Sequence, residues 1–132
     1  MNRYLKKSSL ILALTVLLAI ATTALPVQRT SARRLRFSRG RTTAILRGSV
    51  TNDAMKQYVL GAKAGQTLIV HVTSPHGLAQ FDVYPRNNRQ AFADTAEDVK
   101  DWQGRLPKSG DYVISVYSTG GNTRYTLEVA IR

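Results

Sequence analysis

The sequence predicts an all-β fold: a single antiparallel, jelly-roll-like β-sandwich of about seven or eight short strands, following an N-terminal signal peptide. Three observations carry this. Apolar residues recur with a period of two from about residue 41 onward. Glycine, proline and asparagine clusters break these runs at regular intervals. No long amphipathic helical pattern is present in the same stretch. The length of 132 residues fits one domain, and a hydrophobic fraction of 43% is enough to pack a core.

The chain starts with a charged segment, Arg3, Lys6 and Lys7, and no acid. Leu10 to Leu25 then run for 16 uncharged residues, shorter than the roughly 20 that a membrane-spanning helix needs. Thr22-Thr23-Ala24 supplies the small residues that a signal peptidase reads. The expectation is a cleaved signal peptide over 1–24, with Ala32 as a second cleavage point and an uncleaved anchor as the competing reading. Export to the periplasm or the extracellular space follows from it.

Residues 25–40 read as an arginine-rich, flexible arm ahead of a domain at 41–132. The formal charge of the whole chain is +11, and removal of residues 1–24 leaves +8. Arg29, Arg33, Arg34, Arg36, Arg39, Arg41 and Arg47 then place seven arginines in 19 residues with no acid among them. Beyond Arg47 the nine basic residues nearly balance the eight acidic ones. Such a block either attracts an anionic envelope polymer or lipid surface, through Arg29, Arg33, Arg34, Arg36, Arg39 and Arg41, or serves as a solvated leader. A nucleic-acid partner is not expected, because the basic residues are not spread over a folded face with aromatic platforms.

Within the domain, Thr42–Val50 and Tyr58–Gly61 are short strand candidates. Ala64-Gly65-Gln66 turns the chain into a strong strand, where Leu68, Val70 and Val72 share one face and Ile69, His71 and Thr73 the other. Ser74-Pro75-His76-Gly77 ends it. Phe81 and Val83 then alternate with Asp82 and Tyr84, before a Pro85–Arg89 turn. Asp94 to Asp101 is the one stretch with a helical turn's pattern. In Trp102–Leu106, Trp102 shares a face with Gly104 and Leu106, which favours a core anchor over a sugar-stacking platform. After Pro107–Asp111, Tyr112, Ile114 and Val116 alternate with Val113, Ser115 and Tyr117. Gly120-Gly121-Asn122 leads to the cleanest alternation, Tyr125, Leu127, Val129 and Ile131. Tyr84 and Tyr117 fall opposite their strands' apolar sets, so the expectation is an exposed aromatic surface.

Composition excludes several chemistries. With no cysteine there is no disulfide, thiol nucleophile or Cys-based zinc site. His71 and His76 are the only histidines, one in a strand and one in a turn, too few for a three-His metal centre. No hydrolase, phosphate-loop or dinucleotide motif occurs. Asp94, Glu97, Asp98 and Asp101 are the best oxygen-ligand cluster, but their spacing does not match a calcium loop, and a solvated acidic loop is expected. No catalytic residue, cofactor or metal is expected, and no oligomeric state is indicated.

Several segments together resemble a family of small exported bacterial β-sandwich proteins. They are Tyr58-Val59-Leu60-Gly61-Ala62-Lys63-Ala64-Gly65-Gln66-Thr67-Leu68, Ala79-Gln80-Phe81-Asp82-Val83-Tyr84, Trp102-Gln103-Gly104-Arg105-Leu106-Pro107, Ser109-Gly110-Asp111-Tyr112 and Tyr125-Thr126-Leu127-Glu128-Val129. The family is similar to the periplasmic inhibitors of g-type lysozyme, and also to the bacterial pre-peptidase C-terminal domain. The resemblance implies a sandwich that binds and does not catalyse, with a lysozyme or another secreted protein as partner. It also implies a long arginine-rich loop between the last two strands. Here that loop is the short Ser118–Arg124, and Arg124 is the one residue in it that could stand in for those arginines. Arg124, Tyr58, Tyr84 and Tyr117 are the contact candidates. The alternative is an envelope-, polysaccharide- or protein-binding module tethered by its arginine arm.

Overall fold

A computed structural model describes residues 32–88 and 96–132. The expected signal peptide, Arg29 and Asp94 lie outside the described residues. Eight strands form: β1 Arg33–Arg34, β2 Thr43–Val50, β3 Lys56–Ala62, β4 Thr67–Thr73, β5 Ala79–Pro85, β6 Asp101–Arg105, β7 Gly110–Ser118 and β8 Thr123–Ile131. They make two four-stranded sheets, β1-β3-β7-β5 and β2-β8-β4-β6. All pairings are antiparallel except β1 with β3. The predicted β-sandwich is therefore the fold.

The period of two decides which side chains face inward. Leu68, Val70, Val72, Phe81, Val83, Tyr112, Ile114, Val116, Tyr125, Leu127, Val129 and Ile131 are all buried in one core. That core joins the inner faces of both sheets, as expected for stacked layers. Trp102 is 9% exposed and belongs to it, so it is a core anchor. Trp102 lies across Gly104, two residues along the same strand, where a Cβ would collide with the indole. Gly104 is thus required by close approach, not by backbone conformation.

Of the stretch from Asp94 to Asp101, where a helical turn is expected, Ala96 is in 3-10 conformation. Residues 97–100 form a loop pinned by reciprocal backbone hydrogen bonds between Val99 and Phe81, at 2.8 and 3.1 Å. Strand pairing also reaches ahead of residue 41. Arg33 and Arg34 pair with Tyr58 and Val59. Leu35 donates its N–H to the Val59 carbonyl at 2.8 Å and is 7% exposed within the core. The described end of the arm is sheet edge, because β3 offers a free row of backbone groups and Leu35 offers an apolar side chain beside it.

Candidate functional site

At the seam where β1 and β3 of one sheet approach edge strand β2 of the other, a cleft of about 840 Å³ opens. Tyr58 and Tyr125 form its floor. Their hydroxyls, one from each sheet, share a buried hydrogen bond. Gly48 lies over Tyr125, and a Cβ there would stand 2.6 Å from the Tyr125 hydroxyl. Burial pushes the Tyr125 hydroxyl pKa upward, the Tyr58 bond adds to this, and the nearby Arg33 charge opposes it. Tyr125 therefore stays a neutral hydrogen-bonding group.

The cleft wall is cationic. Arg33, Arg47 and Lys56 line it, with Asp53 as the one acid. All three cations are exposed and none has an ion-pair partner among the described residues. Asn52 and Ser49 add neutral polar groups. Such an arrangement can bind an anionic or carboxylate-bearing ligand through charge-assisted hydrogen bonds.

One end of the cleft abuts the loop between β7 and β8, which is short and tied down. Ser118 Oγ donates to the Gly121 carbonyl at 2.6 Å, and Gly121 N–H donates to Asn52 Oδ1 at 2.5 Å. Thr119 N–H donates to the Leu78 carbonyl at 2.8 Å. Arg124 is not at the loop tip. It stands exposed on β8 opposite Ser49.

Of the contact candidates, Tyr58 and Tyr117 both line the cleft, while Tyr84 and Arg124 lie outside it. Tyr58 is 5% exposed, with its hydroxyl engaged by Tyr125. Tyr84 is 8% exposed, packs with Val59 and Val113, and accepts a hydrogen bond from Gln57 Nε2 at 3.0 Å. Val59, Val113 and Tyr84 are cross-strand neighbours on the outer face of their sheet, so they cover one another. Tyr117 is half-buried and hydrogen-bonded to Asp98. Burial raises its hydroxyl pKa, with the Asp98 contact adding to the effect.

Of the basic run, Arg33, Arg36, Arg39 and Arg41 are exposed without an acidic partner among the described residues. Arg34 is committed elsewhere. Its guanidinium donates to both carboxylate oxygens of Asp111, at 3.1 and 2.6 Å, and Arg86 adds a third contact at 3.3 Å. The Arg34 hydrogen bonds hold the Asp111 carboxyl below its usual range. Arg47 is visible in the sequence as part of the basic run. Lys56, Asn52 and Ser49 carry no sequence signal for the cleft, since only the sheet pairing brings them beside Arg33.

The acidic cluster does not converge. Asp98 donates its N–H to Asp82 Oδ1 at 2.8 Å, while Asp101 contacts His71 on the other sheet. Among the described residues, no three such side chains gather as a metal site.

A two-layer sandwich with tied end-loops and a cationic seam defines a small β-sandwich recognition module. Aeromonas hydrophila PliG, a periplasmic inhibitor of g-type lysozyme, is 34% identical, with 77% of this chain and 96% of that chain covered and a TM-score of 0.67. The chain belongs to the PliG family. An Escherichia coli PliG mutant shares the fold at 19% identity, covering 77% and 100% of the two chains, TM-score 0.60. The pre-peptidase C-terminal domain of a Bacillus anthracis collagenase does so at 17%, covering 77% and 95%, TM-score 0.55. No protein-family model and no curated protein matches the sequence.

Proposed function

We propose that this protein is an exported, non-catalytic inhibitor of g-type lysozyme, acting in the periplasm or at the cell surface. The observation that carries this reading is the identity of 34% across 96% of the Aeromonas hydrophila inhibitor. The cationic seam supports it, because a glycosidase cleft works through carboxyl groups that such cations can pair with. With Tyr58 and Tyr84 buried, the contact falls to Arg33, Arg47 and Lys56 of the cleft. The stapled 118–122 loop gives these residues a fixed platform instead of a reaching finger.

A turbidity assay with purified g-type lysozyme tests the activity. Inhibition near equimolar ratio is expected, and full lysozyme activity in large inhibitor excess overturns the reading. Arg47→Ala with Lys56→Ala should weaken inhibition by about tenfold, the equivalent of roughly 1.4 kcal/mol. Arg124→Ala as the only damaging change would move the contact from the cleft to the outer face of β8.

A further inference from the structure

We propose that the β1–β2 edge is a second binding surface, adjoining the proposed lysozyme contact and sharing Arg33 and Arg47 with it, that docks on anionic lipid headgroups and holds the protein at a membrane face. Between β1 and β2 the chain forms a second open groove of about 840 Å³. Arg33, Arg34, Arg36 and Arg41 line it. Arg41 N–H donates to the Ser38 carbonyl at 2.8 Å, and this turn carries Arg39 outward between them. Residues 33–47 hold six arginines and no acid. Five of them, Arg33, Arg36, Arg39, Arg41 and Arg47, are exposed and have no ion-pair partner among the described residues. The acids that meet this edge are Asp111, ion-paired with Arg34, Glu128, paired across the sheet with Ile45, and Asp53 in the adjoining cleft.

Two features select a lipid surface. Ile45 lies in the middle of the basic edge and is 60% exposed, the most exposed large apolar side chain among the described residues. An aliphatic foot among arginines suits the boundary between phosphate headgroups and acyl chains. A single-stranded nucleic acid would instead want exposed aromatic rings to stack on, and Tyr58, Tyr84 and Tyr125 are buried. The surface lies on the β1 and β2 edges of the two sheets, whereas β5 and β6 close the opposite edges. A docked sandwich would therefore keep its end-loops open to a protein partner.

The test is co-sedimentation of the exported protein with phosphatidylcholine vesicles, with and without phosphatidylglycerol. Binding is expected only with phosphatidylglycerol, and it should fall steeply with added salt because the cations are exposed. The triple change Arg36→Glu, Arg39→Glu, Arg41→Glu should weaken it at least about tenfold. Lys100→Glu, Arg105→Glu, Lys108→Glu makes the same charge change away from this edge and should leave most of the binding. Ile45→Ser should weaken binding while leaving its salt dependence intact. Equal loss in both triple variants, or none in either, overturns the proposal. So does tighter binding to oligo(dT) than to the anionic vesicles. The lysozyme assay on the Arg36, Arg39, Arg41 variant separates the two readings, since inhibition should be unchanged there whatever the vesicles show.

Discussion

Single contacts set the shape of the seam. Gly48 is the clearest case, because the Tyr125 hydroxyl occupies the space a Cβ would take. Gly48→Ala should displace that ring, break the Tyr58–Tyr125 bond and cost about 1–3 kcal/mol in a urea melt. Tyr125→Phe keeps the ring and removes only the hydroxyl, so a smaller loss of about 0.5–1.5 kcal/mol is expected. If both variants melt like the parent, the floor of the cleft is not as packed as the contacts indicate. Asp111 carries the pH dependence of the β1 contact. Its carboxyl is held below the ordinary 3.8 by Arg34. A depressed folded-state value means that its contribution is complete above the ordinary carboxylate range and disappears as the pH falls through the folded value. The pair is exposed, so the effect is small and salt-sensitive. Arg34→Gln should move the Asp111 titration upward by NMR; an unchanged titration would separate the two side chains in solution.

At the scale of strands, alternation is the governing pattern. β8 buries Tyr125, Leu127, Val129 and Ile131 and turns Arg124, Thr126 and Glu128 away from the core. Leu127→Ala leaves a cavity at a fully buried site between β2 and β4 and should cost about 2–5 kcal/mol. A loss under about 1 kcal/mol would reverse the assigned face. The same alternation explains what the sequence left illegible. It assigns a side chain to a face but does not say whether that face is open. Tyr84 was expected outside and does point outward, yet Val59 and Val113 on neighbouring strands cover it. β1 has no alternation to read, being two arginines, and it exists because β3 had an unpaired edge. The acidic stretch has a helical pattern, yet only Ala96 of its described part is in 3-10 conformation, and Val99 instead bridges to Phe81. The site was legible only as charge. The run from Arg33 to Arg47 is plain in the sequence, whereas Lys56 joins it through pairing across two sheets.

For the whole molecule, the open question is where the cooperative unit begins, and Leu35 decides it. A boundary at Arg41 would leave the preceding segment solvated, and its removal would cost nothing. In the fold, Leu35 belongs to the same core as Leu60, Ile114 and Leu127. Its N–H extends the β1–β3 pairing, and Arg34 ties this segment to β7 through Asp111. A chain beginning at Ala32 should therefore melt like one lacking only residues 1–24. A chain beginning at Arg41 loses Leu35 from the core and leaves the outer backbone edge of β3 to water. The side-chain loss alone is worth about 2–5 kcal/mol. That is a large share of the roughly 5–15 kcal/mol that holds a domain of this size. The shorter chain should unfold at markedly lower urea and expose a strand edge able to pair with a second copy. Equal midpoints for the two chains would put Leu35 outside the cooperative core. A lower midpoint for the shorter chain, with a concentration-dependent increase in size by light scattering, would show that the arginine-bearing segment is part of the sandwich.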